Sequence, residues 1–322
     1  MHQYNDNHGT DLLIYQMMYS FRMPLFLFVS GFLVIYTTVK LDKYPTFGKF
    51  VLKKFKRLLI PLFFLMSLVF IPRALMSGIA DDIVDNSWSA YFTMFLHTKL
   101  FVIPYYWFLY TSFTLLAITY ASVQICRRFK IYLPIALMIL IISFIVLYFM
   151  QILWHDDFLS IGNTIERGAY FIAGAIYCYY YEIIENKFGQ IISSFYFFFV
   201  SVVCWTILFP IFEGTNLIML CSFAGILMSI SFAKLLVAKH ITILDHLRGS
   251  SYIIFLLSWF FNVSTQQVLA HFTNFPWWIY SILSLTTGIY GPWLIYRLLK
   301  RYKTSRISQT ISFLLGQNTS VS

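Results

Sequence analysis

Charge is scarce in this chain, and acid scarcer still. Asp, Glu, Lys and Arg make up 11% of the 322 residues, with 13 acidic side chains against 23 basic ones. A soluble domain carries about 25% charged residues. With 59% hydrophobic and 20% aromatic residues and a mean hydropathy of +0.73, there is too little polar surface for a soluble globule. Cysteine is also sparse. Cys126, Cys178, Cys204 and Cys221 show no C-x-x-C and no His/Cys cluster, which excludes a disulfide framework or a zinc ribbon and reads them as small buried hydrophobes. Metal-site spacing and a phosphate-binding glycine loop are both missing. The opening MHQYNDNHGTD lacks the basic n-region of a signal peptide. No soluble domain, long linker or internal repeat is visible.

What is there is a series of uncharged apolar runs, each about the 20 residues a helix needs to cross a bilayer. Examples are 101–125, 131–154, 188–212, 214–233 and 251–270. Basic residues fill every second gap between the runs. The stretch KLDKYPTFGKFVLKKFKR (40–57) holds seven of the 23. Arg127, Arg128 and Lys130 follow, then Lys187, then Lys234, Lys239 and Arg248, and then the tail from Arg297 to Arg306. The alternate gaps carry Asp81, Asp82 and Asp85, then Asp156 and Asp157, then Glu213. Basic gaps mark the cytoplasmic side, so the net charge of +10 is used for orientation and for anionic headgroups, not for nucleic acid.

The expected fold is an all-α, polytopic transmembrane bundle of nine spans. They lie near 12–39, 58–76, 104–125, 131–153, 164–184, 190–212, 215–237, 251–270 and 276–298. An odd count puts the N-terminus outside and the basic C-terminus in the cytoplasm. One membrane domain covers 1–306. The polar tail 307–322 is frayed or lies on the inner surface. In the loop 77–103, the segment SAYFTMFLHTKL has the character of an interfacial helix. Pro24, Pro61, Pro134 and Pro210 suggest broken helices.

Charges inside hydrocarbon cost a few kcal/mol each and point to function. Arg22 lies deep in the first span and is expected in a buried polar site. Glu166 and Arg167 open the fifth span, and Glu182 lies near its inner end. Lys49, Lys53, Lys56 and Arg57 share one face if their segment is helical, a face suited to a phosphorylated cytosolic ligand or to anchoring. His2, His8, His97, His155 and His271 map outside; each reads as a loop residue in the absence of a recognisable motif.

Four segments carry a family resemblance. They are SFRMPLFLFVSGFL (20–33), KKFKRLLIP (53–61), Trp107-Phe108-Leu109 and GSSYIIFLLSW (249–259). In order and spacing, over about 14–298, they resemble the second, third, fourth and ninth helices of acyltransferase family 3. The resemblance implies a ten-helix membrane O-acyltransferase of the bacterial inner membrane. Its acyl group, commonly acetyl, comes from cytosolic acyl-CoA and goes to a hydroxyl of a cell-surface or lipid-linked glycan. A histidine would serve as general base, with cations on the CoA phosphates or the oxyanion. The resemblance implies a first helix that carries the presumed catalytic histidine, and that helix has no counterpart among the nine expected spans. His2 is either that histidine or a residue just past it, and Arg22 stands where relatives often have His.

The candidate catalytic residues are therefore His2 and Arg22. Lys53 and Arg57 are the candidate donor contacts. Glu166, Arg167 and Trp107 are the candidates on the acceptor side, with Trp107 also readable as a packing or belt residue. No metal is expected; the partners are the bilayer and the glycan acceptor. Two alternatives stay open: a polysaccharide transporter or flippase, which should show repeated halves or paired interrupted helices, and a catalytically inactive relative.

Overall fold

The computed structural model describes residues 9–44, 46–75, 87–151, 157–272 and 277–317. Among them the protein is helical and has no strand. Each expected span is occupied by a helix: α1 (Gly9–Ile35), α2 (Phe47–Leu75), α4 (Trp107–Phe129), α5 (Leu133–Phe149), α6 (Ile161–Tyr179), α8 (Phe195–Phe212), α9 (Ile218–Ala238), α10 (Ser251–Phe272) and α11 (Trp277–Arg301). Among the described residues, six segments are long and apolar enough to cross a membrane, against the nine expected: Gln16–Lys40, Phe47–Pro72, Pro104–Phe129, Phe195–Phe212, Ile218–Ala238 and Ser251–Leu269. Ile139 and Ile142 of α5 and Phe199 and Val200 of α8 stay exposed, as lipid-facing side chains do. The interfacial segment is a helix, α3 (Trp88–Leu96), capped by Ser87 accepting from the Ala90 N–H.

Several expectations change. The fifth span does not run to 184. The helix breaks at Tyr180, and α7 (Tyr181–Ile192) begins there, so Glu182 lies outside the span and bonds Lys40 at 2.7 Å. Lys49, Lys53, Lys56 and Arg57 lie on α2, so their segment is helical and the condition for a shared face is met. Residues 306–314 of the tail form α12 (Arg306–Leu314), anchored by the Ser308 hydroxyl on Leu299 O at 3.0 Å. Cys126, Cys178 and Cys221 are buried, but Cys204 is exposed.

By its internal contacts the chain divides into two compact units, 1–52 with 87–241, and 53–86 with 242–322. In the first unit α1 lies against α6 at the closest approach two helices can make. A Cβ on Gly31 would stand 1.8 Å from Phe171 O, and one on Gly174 would stand 1.9 Å from Phe28 O. Small residues let membrane helices pack backbone to backbone, so the Ser-Gly-aromatic motif serves here as packing. The α1 helix ends in a π turn, Tyr36–Lys40. Arg127 donates to Thr38 O there at 2.7 Å and pairs with Asp42 at 2.9 Å. In the second unit α10 and α11 approach at Gly288 and Gly291, beside Asn262 and Phe261, and Thr265 bonds Thr287 at 2.8 Å.

The prolines do not break α1, α2 or α8, which run through Pro24, Pro61 and Pro210; Pro134 only starts α5. A proline has no N–H for the carbonyl four residues earlier. Two of those orphaned carbonyls are met by a hydroxyl from another helix. Ser20 O, left by Pro24, accepts from the Ser222 hydroxyl at 2.7 Å. Arg57 O, left by Pro61, accepts from the Tyr252 hydroxyl. In hydrocarbon this repair is what makes an internal proline tolerable.

Candidate active site

The start of α6 gathers the polar side chains of the first unit. Asn163 and Arg167 are four residues apart and so share one helix face. Arg167 Nη1 donates to Asn163 Oδ1 at 2.7 Å and to Glu166 Oε2 at 2.6 Å. Its guanidinium carbon lies 4.4 Å from the centroid of the Trp107 ring, at the start of α4. The Arg167 side chain is only 14% exposed, against 33% for Glu166. A guanidinium is the cation best suited to this setting, being weakly hydrated and flat enough for an aromatic face.

One turn earlier, Ser160 is fully buried and joins the two helix starts. Its hydroxyl is 2.9 Å from Thr111 Oγ1 and donates to Trp107 O at 3.3 Å, while Asn163 Nδ2 donates to it at 3.2 Å. Ser160 (φ 65°) and Leu159 (φ 45°) both take the left-handed conformation, which costs a non-glycine residue about 1–2 kcal/mol. Strain of this kind persists where the surroundings over-determine the backbone, as they do here.

The strained pair is tied on its other side to the end of α3. Leu159 N–H donates to Leu96 O at 2.7 Å, and Thr98 N–H donates to Asp157 O at 3.0 Å, forming an antiparallel bridge of His97 with Phe158. Inside this clasp His97 Nδ1 is 3.0 Å from Asp157 Oδ1. Asp157 Oδ2 also accepts from the Lys99 N–H at 3.3 Å. The His97 hydrogen bond, with help from that N–H, holds the Asp157 carboxyl below its ordinary range despite some burial. Histidine at 97 is therefore not an isolated loop residue.

The structure thus brings together three of the expected residues, Trp107, Glu166 and Arg167. Trp107 is 7% exposed, so it is a buried support for the arginine and not a belt residue. Arg22 is not in that cluster and not in a buried polar site. Its side chain is exposed on α1, 5.8 Å from the Tyr19 ring centroid. The reason is helix phase: Met17 and Phe21 pack toward Trp205 and Phe209 of α8, and one residue further round the helix Arg22 points away. Tyr19 also lines a cleft of about 210 Å³ with Gln16, Ser20, Phe209, Glu213 and Ile218. His2 lies outside the described residues, as do His8, His155 and Asp156.

Lys53 and Arg57 belong to the second unit, where both are exposed and one helical turn apart on α2. The Arg57 guanidinium carbon lies 5.1 Å from the Tyr252 ring centroid, on the same tyrosine whose hydroxyl meets Arg57 O. Gly316, at φ 66°, fits the same notch: a Cβ there would fall 2.2 Å from Arg57 O and 2.8 Å from the Pro61 ring.

The profile described as "Acyltransferase domain" matches residues 1–297, nearly the whole chain. The chain belongs to acyltransferase family 3. No curated protein and no solved structure matches it. As a member of this acyltransferase family the protein is an integral-membrane acyltransferase. Sequence reasoning missed Asn163, Ser160 and the His97–Asp157 pair. The spacing from Asn163 to Arg167 was a readable helical signal. Sixty residues separate His97 from Asp157, and no local pattern announces the pair.

Proposed function

We propose that this acyltransferase moves an acyl group, acetyl in the first instance, from cytosolic acyl-CoA to a hydroxyl of a cell-surface or lipid-linked glycan in a bacterial inner membrane. The observation that carries the reading is the mostly buried Arg167 guanidinium, held over Trp107 and steadied by Asn163 and Glu166. Only Nη1 is used by those two partners, which leaves Nε–H and the Nη2 hydrogens for an acyl oxygen. A preorganised cation in a dry site stabilises the charge that develops on that oxygen in the transition state. The starts of α4 and α6 are the ends that the charge pattern puts outside, on the acceptor side. Trp107 and Glu166 position the arginine. Lys53 and Arg57 bind the CoA phosphates on the opposite, basic side, Arg57 being set by Tyr252. The acceptor proton goes to a histidine on the outer side, for which the family likeness offers His2, with Arg22 as a further cation near that face.

The test supplies radiolabelled acetyl-CoA to the cytosolic face of membranes containing or lacking the protein. Label on the glycan fraction, dependent on the protein, is the expected result. Sugar movement across the membrane without label would replace this reading with a flippase.

A further inference from the structure

Independently of the transfer reaction, we infer that the first unit binds an anionic phospholipid of the inner leaflet, with an acyl chain in a slot between α5 and α9 and the phosphate on Lys234. The slot is a cavity of about 410 Å³, within the size range of small-molecule sites. Its lining is apolar: Met138 of α5, Ala173 and Tyr177 of α6, and Phe223, Leu227 and Ile230 of α9. Met138 and Leu227 are exposed, so the slot opens sideways to hydrocarbon and not only into the bundle. Helical interiors pack to the density of organic crystals. A gap of this size on a lipid-facing side is therefore a place for a chain from the bilayer.

Length and charge identify the occupant. Phe223, Leu227, Ile230 and Lys234 recur at helical spacing, so a cation ends the apolar stripe that lines the slot. From Phe223 to Lys234 α9 rises about 16 Å, which is one leaflet of a hydrocarbon core about 30 Å thick. Lys234 stands at the end that the charge pattern puts in the cytoplasm. The cavity reaches Ile184 of α7, and the next residue, Glu185, pairs with the largely buried Lys234. An ammonium has three N–H donors, and Glu185 takes one of them. The Tyr177 hydroxyl lies near Lys234 and is buried, yet it makes no hydrogen bond of proper geometry among the described residues. Burying a hydroxyl without a partner is costly. A phosphate oxygen between Tyr177 and Lys234 removes that cost. The sign of the charge agrees. α7 and the inner ends of α1 and α9 bring Lys40, Lys187, Lys234 and Lys239 to this end, against Glu182 and Glu185. The surplus is positive, which favours an anionic headgroup over a zwitterionic one.

The test places the full chain in nanodiscs of phosphatidylcholine doped with a phosphatidylglycerol that carries a diazirine at mid-chain. After irradiation the adducts are mapped by mass spectrometry, with the matching diazirine phosphatidylcholine for comparison. The expected result is that phosphatidylglycerol adducts concentrate on the slot residues of α5, α6 and α9, above those on the exposed Ile139 and Ile142 of α5. Phosphatidylglycerol should also label the slot more than phosphatidylcholine does. Leu227→Trp, at an exposed position where a larger ring has room, should remove most of the slot adducts at an unchanged unfolding midpoint. Replacing Lys234 and Glu185 together by Gln leaves the net charge unchanged and so tests the contact itself. The preference for phosphatidylglycerol should then fall about fivefold, the effect of one lysine on an anionic headgroup. Adducts spread evenly over the lipid-facing surfaces, equal labelling by the two lipids, or a preference that survives the paired Gln replacement overturns the inference. A stable dimer in the same nanodiscs with no adduct in the slot gives the groove to a second copy and overturns it as well.

Discussion

Arg167 lies over Trp107 at 4.4 Å, so a side chain of α6 is carried by a side chain of α4. A desolvated contact of this type contributes about 2 kcal/mol, and the planar guanidinium cannot be replaced by a point charge. Arg167→Lys and Trp107→Ala are therefore each expected to lower acyl transfer by tenfold or more. The rate of glycan labelling, with the folded fraction checked by size exclusion, measures it. A full rate in Arg167→Lys would remove the arginine from the site.

The two repaired proline carbonyls make a stability prediction. Ser222→Ala strands Ser20 O, and Tyr252→Phe strands Arg57 O while keeping the ring beside the guanidinium. An unmet carbonyl costs about 1–3 kcal/mol. Each variant should unfold earlier by that amount in a denaturant titration in bicelles. Equal stability would mean that the carbonyls are satisfied in another way.

Gly31 and Gly174 leave no room for a side chain, since the added Cβ would meet backbone carbonyls and not a movable group. Gly31→Val or Gly174→Val should force α1 away from α6 and leave little folded protein. Accumulation of either variant at the normal level would contradict the close approach.

Asp157 has a lowered pKa, chiefly through its bond with His97. For a carboxyl with a depressed folded pKa, the stabilisation is complete above the unfolded value of about 4. It is lost as pH falls through the lower folded value. Asp157→Asn should therefore flatten the acid side of the stability curve below about pH 4 and leave a constant deficit at neutral pH. Unfolding midpoints from pH 7 down to pH 3 read this out; an unchanged acid slope counts against the pair.

Replacing Lys53 and Arg57 together by Gln should raise the KM for acetyl-CoA with a smaller effect on kcat, because phosphate contacts far from the reacting carbon contribute mainly to binding. Unchanged donor dependence would place the CoA phosphates elsewhere.

The helices were legible because an apolar run of fixed length reports position along a membrane normal. Position around the helix axis was not. Arg22 lies well inside α1, as read, yet points away from the packed face because Met17 and Phe21 set the phase. The break at Tyr180 escaped notice because Tyr179 to Glu182 carries no glycine or proline to mark it. Trp107, Glu166 and Arg167 were singled out individually, but their meeting depends on how α4 packs on α6. The same is true of Ser222 on Ser20 and of His97 on Asp157: each is a tertiary contact between distant segments, and single-chain periodicity holds no record of it.

The central claim is transfer from a donor on the basic side to an acceptor on the other. Radiolabelled acetyl-CoA added outside sealed inside-out and right-side-out vesicles tests it most directly. The account predicts label on glycan enclosed in the inside-out vesicles and none in the right-side-out ones. Label appearing only when the donor meets the opposite face would contradict it.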